Sequence, residues 1–296
     1  MALWQNYLRP KTLSEALNAL TTAPGPVAAI AGGTDLLIDL DQGRHPAVQT
    51  LVDILNVPEL AALELRGETL FIGAGVPVGR IVQNPLVNLH ARALVEACEL
   101  IGGPQVRNVA TLGGNVAHAL PAADGTIALL ALDANAEIAG SSGAYSRPIS
   151  ELFVGPGKSA LRHGEELLIG FRVPLKTAHQ GNSFKRIMRP QGVALPIINV
   201  AVWLERAAEV VKEVRVAVGP GAAVPLRATE AEAVLRGAPL DGSTLQRALE
   251  ALLAQTRFRS SFSRGSAEYR RHLVAGLFED TLRAAWERAA GEDGKP

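Results

Sequence analysis

The chain of 296 residues has a single cysteine, Cys98. One thiol excludes an internal disulfide, a cysteine-held metal and an iron–sulfur cluster within this chain. Set in an Ala/Leu-rich stretch, Cys98 reads as a small buried apolar residue. Net charge is missing too, since Lys+Arg and Asp+Glu both number 29. Nucleic acid and anionic membranes call for a basic excess, so neither is expected as a partner. No stretch of about 18 apolar residues is free of charge and proline, so no membrane span is expected. Met1 to Tyr7 has no basic region followed by an apolar run. No export signal is therefore expected, and the default expectation is a cytoplasmic protein. The six histidines (His45, His90, His118, His163, His179, His272) lack metal-ligand spacing, and no Gly-x-Ser-x-Gly elbow occurs.

What is present is a large apolar fraction, 48%, against 20% charged residues. That is enough for a substantial core, and the length suits two or three domains. Thr12 and Glu15 form a capping box that opens a helix ending at Pro24. Val27 to Ala31 and Leu51 to Leu55 read as buried strands around a short helix at Leu36 to Leu40, a small α/β unit. Leu63–Arg66 with Leu70–Gly73, and Ala136–Ala139 with Ala144–Arg147, read as hairpins. Between them lie helices at Val87 to Leu100 and Gly125 to Asp133. Leu167 to Val173 is a strand closed by Pro174. The polar stretch Lys176 to Asn182 reads as a boundary. Beyond it, Ser183–Met188, Pro196–Leu204 and Val210–Val218 are expected to form a three-stranded antiparallel sheet. Helices at Thr229–Leu235, Ser243–Ala254 and about Ser266–Ala290 follow, giving an α+β C-terminal part.

Two glycine stretches carry the chemistry. The first is Ala31-Gly32-Gly33-Thr34-Asp35-Leu36-Leu37. The second is Thr111-Leu112-Gly113-Gly114-Asn115-Val116-Ala117, running on to Pro121-Ala122-Ala123-Asp124. Read as turns, paired glycines let main-chain N–H groups approach a bulky anion with no Cβ in the way. Two such turns could hold the two phosphates of a dinucleotide without a lysine. Thr34 and Thr111 add hydroxyls, and Asn115 offers a donor and an acceptor. Asp35 and Asp124 are either ligand acceptors or helix N-caps. His118, just beyond the second stretch, reads as a polar loop residue near a ligand. Gly73-Ala74-Gly75-Val76-Pro77-Val78-Gly79 is a decoy. Its third glycine comes one position late for a dinucleotide fingerprint, and no long βαβ unit follows. Gly155-Pro156-Gly157-Lys158-Ser159 lacks the spacer of a phosphate loop. Arg257, Arg259, Arg264, Arg270 and Arg271 interleave with Phe258, Phe262 and Tyr269. This composition reads either as solvated surface or as a protein–protein contact.

Over nearly its whole length the sequence resembles the FAD-binding medium subunits of molybdenum hydroxylases, the xanthine and carbon monoxide dehydrogenase group. The resemblance rests on Ala31 to Leu37, on Pro104 to Asn115 continued through Pro121 to Asp124, and on Ser266-Ala267-Glu268-Tyr269-Arg270-Arg271-His272-Leu273. It implies a two-lobed FAD-binding domain of the PCMH type at 1–176, with lobes at about 1–56 and 57–176. A C-terminal flavin domain is implied at 177–296. FAD would lie extended between the lobes. Ala31 to Asp35, with Ala29, Ile30 and Leu36, would wrap its pyrophosphate. Ala110, Thr111, Gly113, Gly114, Asn115 and Ala117 would close from the other lobe, and Asp124 would bind the nucleotide part. Leu168 and Ile169 would pack on a ring, and Lys185 matches a lysine that reaches FAD in some relatives. Ile101 stands where several relatives place an aromatic against the isoalloxazine, and His118 and Leu120 replace the commoner Asn and Ser. Having only Cys98, the chain is not of the cluster-bearing hydroxybenzoyl-coenzyme A reductase branch.

By this resemblance the chain is the electron-exit subunit of a complex. An iron–sulfur small subunit and a molybdenum-cofactor large subunit are its expected partners, in a doubled three-chain unit. FAD would pass electrons to NAD, a quinone or another acceptor, and no catalytic acid–base residue is expected here. The alternatives are a free-standing flavoprotein reductase or oxidase of the same fold, and an assembly module without cofactor.

Overall fold

The computed structural model describes residues 3–189, 195–262 and 264–290. The N-terminal part is a parallel sheet ordered Asn6–Leu8, Thr50–Asp53, Val27–Ile30. Its central strand is buried along its whole length, as a parallel strand covered on both faces must be. The helix Leu13–Thr22 packs on it, with Thr12 Oγ1 accepting from the Glu15 amide at 3.1 Å as the sequence predicts. Helix Leu36–Asp41 leaves directly from the first glycine stretch. The strand Asn6–Leu8 is too short to show a periodicity, and the sequence does not announce it.

The middle part is an antiparallel five-stranded sheet, ordered Leu63–Arg66, Thr69–Gly73, Leu167–Pro174, Asn135–Gly140, Gly143–Pro148. Both predicted hairpins form its edges. Helices crowd one side of it. The expected helix from Val87 to Leu100 is two helices, Pro85–His90 and Arg92–Glu99, broken at Ala91 with φ −138° and ψ 52°. A further helix, Val78–Gln83, starts inside the decoy glycine stretch. The second glycine stretch is also a helix rather than a turn, Leu112–Ala117 capped by Thr111.

The C-terminal sheet has four strands where three are expected: Gln180–Met188, Pro196–Ala207, Val210–Gly219 and the two-residue Leu226–Arg227. The fourth is too brief to register as a pattern. The first begins at Gln180, so the polar stretch expected as a boundary runs into a strand. One face of this sheet packs on the helices Thr229–Leu235, Gly242–Gln255 and Ala267–Ala290 through Val200, Val202, Val216 and Val218. The other face joins the core of the middle part through Phe184, Ala201 and Ala217, against Ile127, Ala128 and Ala97. Coverage on both faces explains the nearly unbroken apolar run Pro196 to Leu204. No helix among the described residues is long and apolar enough to cross a membrane.

Candidate functional site

A cavity of about 790 Å³ is lined from all three parts of the chain. That lies within the range of about 300–1,000 Å³ typical of small-molecule and cofactor sites. Ala29 and Ile30 end a strand on its wall, and the first glycine stretch turns there into the helix Leu36–Asp41. The turn is made possible by Gly33, whose φ of +67° falls in the left-handed region. As a result, the amides of Gly32, Gly33, Thr34 and Asp35 form a run of donors with no acceptor among the described residues. Consecutive free amides in a concave turn are an anion cradle. Asp35 stands at the helix N-cap, but its side chain makes no capping bond.

The second stretch works differently. Leu112 donates to the Val76 carbonyl (3.2 Å), Gly113 to Ala74 (2.8 Å) and Asn115 to Thr111 (3.0 Å). The Gly114 amide donates to Thr111 Oγ1 at 3.1 Å. Its amides are thus committed within the protein, two to the Ala74 and Val76 carbonyls, one to the Thr111 cap and one to the Thr111 carbonyl. The exception is Thr111 itself. Its residue is 3% exposed, and its N–H has no acceptor among the described residues. An orphaned buried donor on a cavity wall calls for an acceptor from the cavity, a water or a ligand. Gly113 allows the helix to lie against Ala74, where a Cβ would come 2.5 Å from the Ala74 Cβ. The decoy stretch serves packing too: a Cβ on Gly73 would lie 2.2 Å from the Leu60 carbonyl oxygen. Gly32 does the same across the lobes: a Cβ on it would lie 2.0 Å from the Val109 carbonyl oxygen. The two stretches abut backbone to backbone.

Ala31, Leu36, Ile101, Ala110, Gly114, Asn115, Ala117 and Leu168 also line the cavity. Ile169 and Lys185 do not. A bulge lies between Leu168 and Gly170, and Ile169 faces Phe71 and Ala139 on the other side of the sheet. Lys185 alternates with Arg186 along its strand, and it is Arg186 that lines the cavity. Asn115 Oδ1 accepts from the Thr126 amide at 3.2 Å and so fastens the next helix. His118 Nε2 is 3.3 Å from Asp39 Oδ2, and Nδ1 is 3.7 Å from Asp35 Oδ1, so the imidazole bridges two carboxylates on the wall. Among the described residues, no group of acids, histidines and cysteine could hold a metal ion.

Asp124 is 4% exposed, and its carboxylate is held by the protein itself. Arg186 Nη1 donates to Oδ2 at 2.5 Å and Asn199 Nδ2 to Oδ1 at 2.7 Å. Burial pushes its carboxyl above the usual range, while Arg186 and Asn199 pull against that rise. Neither Arg186 nor Asn199 is singled out by sequence reasoning. The signal for Asn199 is available: it is the only polar side chain in the apolar run Pro196 to Leu204. Arg257, Arg259, Arg264 and Arg270 of the C-terminal part also line the cavity, whereas Arg271 turns away to the Leu253 carbonyl.

Comparison with known proteins agrees with this geometry. Residues 3–176 match the FAD binding domain in molybdopterin dehydrogenase, and residues 182–285 the CO dehydrogenase flavoprotein C-terminal domain. The xanthine dehydrogenase FAD-binding subunit of Escherichia coli O157:H7 is 34% identical over 97% of this chain and 98% of its own length. The nicotinate dehydrogenase FAD-subunit of Eubacterium barkeri is 31% identical over 92% and 93%. A carbon monoxide dehydrogenase from Hydrogenophaga pseudoflava superposes with a TM-score of 0.91 at 29% identity, over 96% of this chain and 98% of that one. With a free-amide cradle, an orphaned Thr111 donor and a cavity of cofactor size facing one another, the chain belongs to the family of FAD-binding subunits of molybdopterin dehydrogenases.

Proposed function

We propose that this chain is the electron-exit subunit of a molybdenum hydroxylase, with Gly32 to Asp35 as the seat of the FAD pyrophosphate. The carrying observation is the run of four unaccepted amides opposite the unaccepted Thr111 N–H, across one cavity. Together they supply donors from both sides to an extended anion and need no lysine. Bound FAD would supply the one-electron to two-electron relay that no side chain offers. The protein's own part is positioning. The backbone contact of Gly32 with Val109 fixes the distance between the two walls. The Asp124–Arg186–Asn199 set ties the helix Asp124–Ala131 to the C-terminal sheet, so the third wall stays in register with the first two. Leu168 and Ile101 give the cavity apolar surface for a planar ring. An iron–sulfur chain and a molybdenum-cofactor chain are the partners this reading calls for, with NAD, a quinone or another acceptor taking the electrons.

The full chain, expressed alone and titrated with FAD, should turn yellow with one FAD per chain. Absence of saturable FAD binding would overturn the reading. Co-expression with its partner chains should yield a complex in which substrate reduces the flavin. If NADH and a small-molecule substrate turn over on the isolated chain alone, it is instead a free-standing flavoprotein.

A further inference from the structure

Arg270 is 5% exposed, and its Nε has no hydrogen-bond partner among the described residues. Among the described residues, no carboxylate pairs with it. Burial first, and then the like charges of Arg264 and Arg259, push its guanidinium below the ordinary range. Those two arginines are exposed and also lack acceptors for their side chains among the described residues. All three line the same cavity as the amide cradle, from the C-terminal part of the chain, with Ser260 beside them. Elsewhere the protein neutralises its buried cation: Arg186 is paired with Asp124. Three unneutralised guanidinium groups around one space repel one another, and one of them is desolvated. A multivalent anion would relieve that repulsion and give the buried guanidinium the acceptor it lacks among the described residues.

We propose that Arg259, Arg264 and Arg270 form a second anion site at the cavity, recognising the diphosphate of a mobile nucleotide that exchanges with solvent while FAD stays bound. The forked donors of arginine match phosphate oxygens two at a time, which fixes orientation as well as charge. The cradle of Gly32 to Asp35 already accounts for the diphosphate of FAD, so the arginines are left for another. The anion site follows from the side chains alone. Its assignment to an electron-accepting nucleotide rests on the flavin reading above.

The test is calorimetric titration of the full, FAD-loaded chain with ADP and, separately, with inorganic pyrophosphate. FAD content is measured by visible absorbance in every sample. The wild type should bind both probes saturably, more weakly as salt rises. Arg259→Gln with Arg264→Gln, two exposed positions, should keep FAD and lose about tenfold or more in probe affinity, since each lost contact is charge-assisted. Arg270→Lys, which keeps the charge without the fork, should also weaken pyrophosphate binding. Equal probe affinity in wild type and double variant, or no saturable binding to the wild type, overturns the proposal. Loss of FAD from the double variant also overturns it, by assigning the arginines to the flavin's own diphosphate. If no sample retains FAD, the flavin reading fails by itself, and the same titrations on the apo chain still decide whether the arginines hold an anion.

Discussion

At the scale of single residues, glycine does two jobs that look alike in sequence. Gly33 supplies a left-handed φ and Gly32 a backbone contact, while Gly114 meets only Thr111 Oγ1 at 3.2 Å from an added Cβ. Gly114→Val therefore tests ligand space more cleanly than Gly33→Val. It should fold with no helix-propensity penalty, since valine is a better helix former than glycine, and lose most FAD affinity by flavin titration. Wild-type affinity would detach the second stretch from the cofactor. Glu166 offers a pH readout on the same cavity wall. Burial raises its carboxyl, but the Arg162 amide, Tyr145 hydroxyl and Arg162 guanidinium outweigh burial and hold it below the ordinary glutamate value. A depressed carboxyl contributes stability above its unfolded value and loses it as pH falls through the folded one. Chemical denaturation midpoints should therefore drop on acidification below about pH 4.5, and Glu166→Gln should flatten that dependence.

At the scale of elements, the local signals were the readable ones. The capping box at Thr12 and both hairpins are set by residues a few positions apart, so their pattern survives in the sequence. The break at Ala91 was not readable, because no proline or glycine marks it and the Ala/Leu pattern runs through. Likewise, nothing local says that Leu112–Ala117 coils rather than turns: its glycines are tolerated there because the helix lies on Ala74. The long helix Ala267–Ala290 depends on a comparable contact. A Cβ at Gly181 would lie 2.0 Å from the Ala285 carbonyl oxygen. Gly181→Ala should push that helix off the strand Gln180–Met188 and cost about 1–3 kcal/mol in denaturant unfolding, as overpacking does. No change would mean that the helix is free to shift.

At the scale of the whole molecule, the cavity exists because three parts of the chain meet. Removing the tie that holds the third part should be costly. Arg186→Ala leaves Asp124 buried without its cation and should destabilise by about 3–5 kcal/mol. Arg186→Ala with Asp124→Asn should recover part of that loss in the same unfolding experiment. FAD should in turn raise the thermal midpoint of the wild type, because a ligand bound only by the folded state at 100 times its Kd adds about 2.7 kcal/mol. The sequence by itself determined the α+β class, the two glycine stretches and the resemblance to flavin subunits, since composition, turn chemistry and motif order are local properties of the chain. Tertiary structure alone decided that one stretch leaves its amides without acceptors among the described residues while the other commits its own. It also chose Arg186 over Lys185, turned Ile169 away, and gathered Arg259, Arg264 and Arg270 around shared space. The physical reason is that strand parity, a bulge and the convergence of distant elements fix where a side chain points, and none of these is written in neighbouring residues.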